Sequence, residues 1–303
     1  MKKDPTMPFS ISALRISRPT MPFGVSALRF TRTTLVYLLL IVVIIFLLFP
    51  VYWIVVTSLK TSGEALAYPP SLLPKAPTLD GYPYVIQSWN YWVSLTNTIV
   101  VAGFSALIEV ILGGMAAYAF SRATFPGKSL MYGFLILSMA LPWMVELGPI
   151  FITYNKLHWL DTRAGLVAVF VAGGLPFAVL VLYSFINSIP RELDDAAAID
   201  GCGWFETLFR VIMPLSTTAS TVTFLLLFIS GWNEFLLPFI LTVTPQTRVL
   251  TIRLMEYPVR TGVNVIPYEL ISAGGVLVLL PLIPILILSQ KRLIEGILAG
   301  AFK

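Results

Sequence analysis

Apolar residues fall in six long blocks separated by short polar stretches. Block one, residues 35–56, carries no charge, and block two, about 97–120, contains Glu109. Block three, about 130–154, contains Glu146, and block four, 164–188, is uncharged. Block five, about 216–242, contains Glu234, and block six, about 270–290, is again uncharged. A helix needs about 20 apolar residues to cross the hydrocarbon of a bilayer. The pattern therefore predicts an all-α, polytopic membrane protein with six transmembrane helices. Residues 1–34 form a basic N-terminal tail, and residues 35–303 form the transmembrane domain.

Composition agrees. Hydrophobic residues make up 57%, charged residues 12%, and mean hydropathy is +0.86. A soluble domain carries about 25% charged residues, so this chain has too few to cover a soluble core. One cysteine, Cys202, excludes an internal disulfide framework and any cysteine-based metal site. One histidine, His158, excludes a His cluster, and its place beside Trp159 outside the third block reads as interfacial. Basic residues scattered around hydrophobic spans explain the net charge of +5 by loops at a membrane surface, without nucleic acid.

Orientation follows from the basic residues. One side holds Lys2, Lys3, Arg15, Arg18, Arg29, Arg32, Arg122, Lys128, Arg191, Arg210, Lys291, Arg292 and Lys303. The other holds Lys60, Lys75, Lys156, Arg163, Arg248, Arg253 and Arg260. This bias predicts both termini in the cytoplasm, with loops 61–96 and 243–268 outside. The tail carries a duplication, residues 7–20 (MPFSISALRISRPT) matching 21–34 (MPFGVSALRFTRTT). Two copies cannot build a repeat core. A duplicated basic tail with Met21 as an alternative start is one reading, and a tail lying on anionic lipid is another. No small-residue cleavage site follows the first block, which argues against a removed signal peptide.

Between the fourth and fifth blocks lies a polar, helix-forming island, residues 189–214, predicted to be cytoplasmic. Ser188 is a candidate cap for a helix whose first turn tolerates Pro190. Glu192, Asp194 and Asp195 then meet the positive end of the helix dipole. Ala196, Ala197 and Ala198 give high helix propensity and a thin profile that lets a partner approach closely. Gly201, after Asp200, is placed to end the helix in a left-handed conformation. A second helix from Gly203 would put Phe205, Phe209 and Ile212 on one apolar face before Pro214. An amphipathic loop resting on the membrane is the plain alternative to a docking element.

Asp195-Ala196-Ala197, then Gly201, Phe205 and Ile212-Met213-Pro214-Leu215, resembles the EAA loop of ATP-binding-cassette importer permeases. Asp195 stands where that family usually has Glu, and Cys202 where it has a small residue. Thr57-Ser58-Leu59-Lys60, Asn97, Ala116 through Arg122, Phe125-Pro126-Gly127-Lys128 and Gly231 through Pro238 resemble the maltose-type sugar permeases. The stretch from Gln290 to Lys303 is similar to the C-terminal end of the smaller maltose-type permease, with departures at Ile297, Leu298 and Phe302. The resemblance implies a transmembrane permease subunit of an ATP-driven sugar importer. It implies that Asp195, Ala196, Ala197, Asp200, Gly201, Phe205 and Pro214 couple to a dimer of ATPase subunits. It also implies a second, non-identical permease and an extracytoplasmic solute-binding protein as partners, in the plasma membrane. The chain has no G-x-x-x-x-G-K-[ST] loop, so ATP is expected to be hydrolysed by the partner, with no cofactor on this chain.

Ionisable groups at bilayer depth mark pathways or helix contacts. Trp232, Asn233 and Glu234 have the composition of a sugar contact, an aromatic face beside polar atoms. Equally, Asn233 and Glu234 can tie neighbouring helices together. The second reading carries more weight, since in maltose-type importers the larger permease supplies most sugar contacts. Glu146, between Pro142 and Pro149, suits a broken helix facing a cavity, and Glu109 reads as structural. Two alternatives stay open: an importer for glycerol phosphate or another small solute, and an ion-coupled carrier using Glu146 or Glu234.

Overall fold

The computed structural model describes residues 23–141, 143–256 and 266–301. The first copy of the N-terminal duplication, the first two residues of the second copy and all of 257–265 therefore lie outside the described residues. Among the described residues all regular structure is helical. The chain divides into two compact units, Met1–Trp53 and Ile54–Lys303. The first is described by the greater part of α1 (Phe23–Ser58), within which Phe49 stacks on Trp53 at 6.1 Å.

The second unit opens with short helices, α2 (Ser62–Ala65) and α3 (Gly81–Ser88), before α4 (Tyr91–Arg122). Then come α5 (Lys128–Ala140), α6 (Leu147–Lys156) and α7 (Arg163–Ile186). The island supplies α8 (Glu192–Ile199), α9 (Trp204–Thr207) and α10 (Met213–Leu215). The remainder is α11 (Thr217–Asn233), α12 (Leu236–Leu241), α13 (Leu250–Met255), α14 (Tyr268–Leu279) and α15 (Leu282–Ala301). Among the described residues four segments are each long and apolar enough to cross a membrane: Thr33–Ser58, Tyr91–Arg122, Arg163–Ile186 and Tyr268–Lys291. Two bent helix pairs, if each is one span, raise the number to six.

The spine of this unit is α4, which packs along α7 and α11. Its buried residues recur at helical spacing and are mostly small or polar: Ser94, Thr98, Ala102, Ser105, Ala106, Glu109, Gly113, Ala117 and Ser121. Small residues let helix backbones approach without loss of packing. At Gly113 an added Cβ would lie 2.7 Å from the Cβ of Ala178 on α7, so no side chain fits there.

Proline sets where the helices break. Block three is divided into α5 and α6 by a 3-10 turn, Trp143–Glu146, with a bend of 87°. Leu141 is extended at ψ 130°, as expected of a residue preceding proline. Block five likewise stops at Asn233 and restarts at Leu236. A continuous helix would drive the Pro238 ring into the carbonyl of Glu234, four residues earlier. Glu234 is instead extended, and its carbonyl accepts a hydrogen bond from Thr251 Oγ1 at 2.8 Å.

At the N-terminal end of α4, side chains bind a loop from the far side of the sequence. Asn97 Nδ2 donates to the carbonyls of Gln246 and Arg248 at 2.8 and 2.9 Å. Thr98 Oγ1 accepts from the amide of Leu250 at 2.9 Å. Asp161 locks the same loop onto the α6–α7 connection. Its amide donates to Leu241 at 2.7 Å, and its Oδ1 accepts from Val243 and Thr244 amides at 2.8 and 3.0 Å and from the Thr247 hydroxyl. Partial burial raises the Asp161 pKa, but these donors outweigh it and hold the carboxyl at about 2, below its ordinary 3.8. A depressed carboxylate contributes stability that is full above its unfolded pKa and is lost as pH falls through its folded one. Thermal unfolding of the detergent-solubilised protein should therefore lose midpoint temperature between pH 3.8 and about 2. Asp161→Asn should start lower at pH 7 and lose less over that window.

Candidate functional site

The island between α7 and α11 is positioned by α4. The first turn of α8 holds Glu192, Asp194 and Asp195, with Arg191 at the N-cap and no side-chain cap. Ser188 does not cap it. Its hydroxyl donates to the Phe185 carbonyl at 2.7 Å, still within the end of α7, so the helix begins later than the sequence suggests. At the far end Gly201 adopts φ +83°, the Gly201 amide donates to Ala198 and the Cys202 amide to Ala197. That paired arrangement closes the helix in a Schellman motif, and a β-carbon at Gly201 would be strained in it.

Sequence reasoning missed the contact that holds α8 in place. Tyr118 Oη, on the last turns of α4, donates to Asp194 Oδ1 at 2.6 Å. Arg122 Nε lies 2.9 Å from Asp194 Oδ2, an ion pair and not an aligned hydrogen bond. Arg122 also donates to the Ile189 carbonyl at 2.8 Å, and Arg191 donates back to the Ser121 carbonyl at 3.1 Å. The Tyr118 ring packs on Trp204 at 4.6 Å. Asp194 and Arg122 were both visible as charges beside apolar blocks, but their pairing joins residues 72 positions apart.

The second helix differs from expectation. Phe205, Phe209 and Ile212 do not share a face. Residues 208–212 form a π turn, whose wider ring rotates the register. Leu208 and Ile212 are fully buried, whereas Phe205 is 59% exposed and Phe209 is exposed too. Ile199, at the tip of α8, is 87% exposed. Asp195, Ala196, Asp200, Gly201 and Pro214 are exposed, and Ala197 is buried. The island thus presents an apolar rim over acidic and small residues, fixed to α4 by Asp194.

The second feature is a cavity of about 690 Å3 among α4, α6, α7, α11 and α12. It brings together Glu109, Glu146 and Glu234, one from each of three apolar blocks. Glu109 is 3% exposed and presses against α7, where a Cβ on Gly174 would lie 2.4 Å from Glu109 Oε1. Glu146 is exposed at the α5–α6 break. Glu234 Oε1 accepts from the Leu236 and Leu237 amides at 3.1 and 3.3 Å, capping α12. Glu234 thereby joins the end of α11 to α12, whereas Asn233 Nδ2 donates to Ile229 in its own helix. Trp232 is 1% exposed, packs on Phe228 at 5.7 Å, and like Asn233 is not among the residues lining the cavity. Among the described residues, no three His, Cys, Asp or Glu side chains are placed to hold a metal ion.

Comparison with known proteins follows from this geometry. Residues 109–297 match the family described as binding-protein-dependent transport system inner membrane component. A putative ABC transporter permease from Caldicellulosiruptor sp. (strain Rt8B.4) is 34% identical, over 84% of this chain and 91% of its own. The trehalose/maltose transport system permease of Thermococcus litoralis is 32% identical, over 87% and 94%. A crystal structure of a bacterial ABC transporter that imports the acidic polysaccharide alginate has a chain of the same fold. Its TM-score is 0.76 at 22% identity, covering 90% of this chain and 99% of that one.

Removing the Asp194 carboxylate takes the ion-pair partner from Arg122 and the acceptor from Tyr118 Oη, and a lost charge-assisted bond costs roughly 1.5–3 kcal/mol. Asp194→Ala should lower the unfolding midpoint of the purified chain more than Asp194→Asn, which keeps an acceptor for Tyr118. Asp195→Ala, at an exposed neighbour, should leave it unchanged.

Proposed function

The chain belongs to the binding-protein-dependent transport system inner membrane components, as a multi-pass permease subunit of an ABC sugar importer, and from that premise we propose that α8 couples it to the ATPase. The carrying observation is that the island is rigid inside and open outside. Asp194, Arg122 and Tyr118 fasten α8 to α4, while Ile199 and Phe205 remain exposed. Exposed apolar side chains on a polar segment mark a contact surface.

In this mechanism both termini and the island face the cytoplasm, and ATP is bound and hydrolysed by a dimer of partner subunits. Asp195, Ala196, Ala197, Asp200, Gly201 and Phe205 seat the island on that dimer, and Pro214 sets the turn into α11. Closure of the dimer pushes α8, and the clamp passes the motion to α4 and the bundle. A second, non-identical permease completes the pathway, and an extracytoplasmic binding protein delivers a saccharide to loops 61–96 and 243–268. Glu146 and Glu234 contribute to the pathway through the cavity they share with Glu109. Trp232, enclosed against Phe228, serves the packing of α11, while Asn233 stays exposed beside the cavity-lining Glu234.

Gly201→Val tests the coupling role. The variant should insert and assemble, because a Cβ there meets no atom within 4 Å and only the backbone is strained. Reconstituted with its partners, it should lose saccharide uptake. Full uptake by a properly assembled Gly201→Val complex would show that the end of α8 is not a coupling element.

A further inference from the structure

The cavity carries information about the charge of the cargo. Glu109, Glu146 and Glu234 line it, and among the described residues no Lys, Arg or His does. An acidic cluster alone decides nothing, but Glu109 is a distinct case. It is 97% buried, borders the open volume, and has no hydrogen-bond or ion-pair partner among the described residues. A buried carboxyl without a partner is costly, the more so at bilayer depth. The space beside it is what is left to satisfy it.

The backbone adds acceptors of the same kind. Pro176 lies inside α7 and has no N–H, so the carbonyl of Ala172, a lining residue, lacks its donor four residues on. Irregular backbone at membrane depth is tolerated where it faces a cavity or protein, and two helix breaks and this proline border one volume. Its 690 Å3 lies within the roughly 300–1,000 Å3 of small-molecule sites. Phe170 and Phe177 supply apolar walls. The lining is thus rich in acceptors and, among the described residues, carries no cation.

We propose that this cavity is a saccharide subsite within the present subunit, selective for donor-rich neutral or cationic sugars and closed to anionic ones. The proposal rests on the importer reading above. Sugar hydroxyls or an ammonium donate to Glu109 and Glu146, while the second oxygen of Glu234 remains available beyond the one that caps α12. A uronate or sulfonate meets the carboxylates of Glu146 and Glu234 with no counter-ion among the described lining residues.

Equilibrium binding to the purified permease–ATPase assembly, without the binding protein, tests this. The probes are maltose, the disaccharide of glucosamine, and the disaccharide of mannuronic acid. Maltose and the glucosamine dimer should bind at least about tenfold more tightly than the diuronate. Glu109→Gln and Glu146→Gln together should weaken the glucosamine dimer about tenfold and narrow the gap to the diuronate. Diuronate binding as tight as maltose, or no binding of any probe, overturns the proposal even where a variant does not assemble. ATP-driven uptake by the full assembly, measured on the same preparation, reports separately on the importer reading.

Discussion

Hydrocarbon offers no hydrogen bonds, so every backbone group a helix gives up must find a partner or a cavity. That constraint organises the second unit of this protein. Proline breaks the third and fifth apolar blocks and removes a donor inside the continuous α7, and the groups released in the fifth block are handled locally. Thr251 takes a donor role at the Glu234 carbonyl, and the Glu234 carboxylate satisfies the first amides of α12. The breaks at Glu146 and Glu234, with proline-containing α7 between them, converge on one volume across from Glu109. A chain of six uninterrupted helices would have no such space.

The same helix that presents Glu109 links the two ends of this unit. α4 has 32 residues, roughly 48 Å at 1.5 Å per residue. Its first turns hold the 246–250 loop through Asn97 and Thr98, and its last turns hold α8 through Tyr118 and Arg122. Glu109 lies 13 residues before Arg122, roughly 20 Å along the axis. A displacement of α8 is therefore delivered to the helix that walls the cavity. Small residues at the α4–α7 seam, such as Gly113 against Ala178, keep the two helices in close register.

Much of this was legible in the sequence. Apolar blocks located the long helices, since length and periodicity are local properties. Gly201 announced its left-handed turn, and Pro142 and Pro149 announced a break near Glu146. The illegible parts are those that depend on distant pairing or on a change of helical pitch. Glu109 read as structural because nothing local placed Gly174 beside it. Asp194 looked like one more acid in a first turn until Arg122 and Tyr118 were brought to it. Phe205 and Phe209 seemed to belong with Ile212 because a regular period was assumed, and the π turn at 208–212 removed it. Trp232 looked like a sugar platform by composition, yet its ring is enclosed against Phe228.

The central claim is that the exposed tip of α8 is seated on an ATPase. Cross-linking tests it most directly, with a thiol placed by Ile199→Cys in a chain whose native Cys202 is replaced. In the membrane-assembled complex a short bifunctional reagent should join position 199 to the ATPase subunit, with a yield that changes when ATP is added. A thiol that joins only lipid or no protein, in a complex that still transports, would contradict the account.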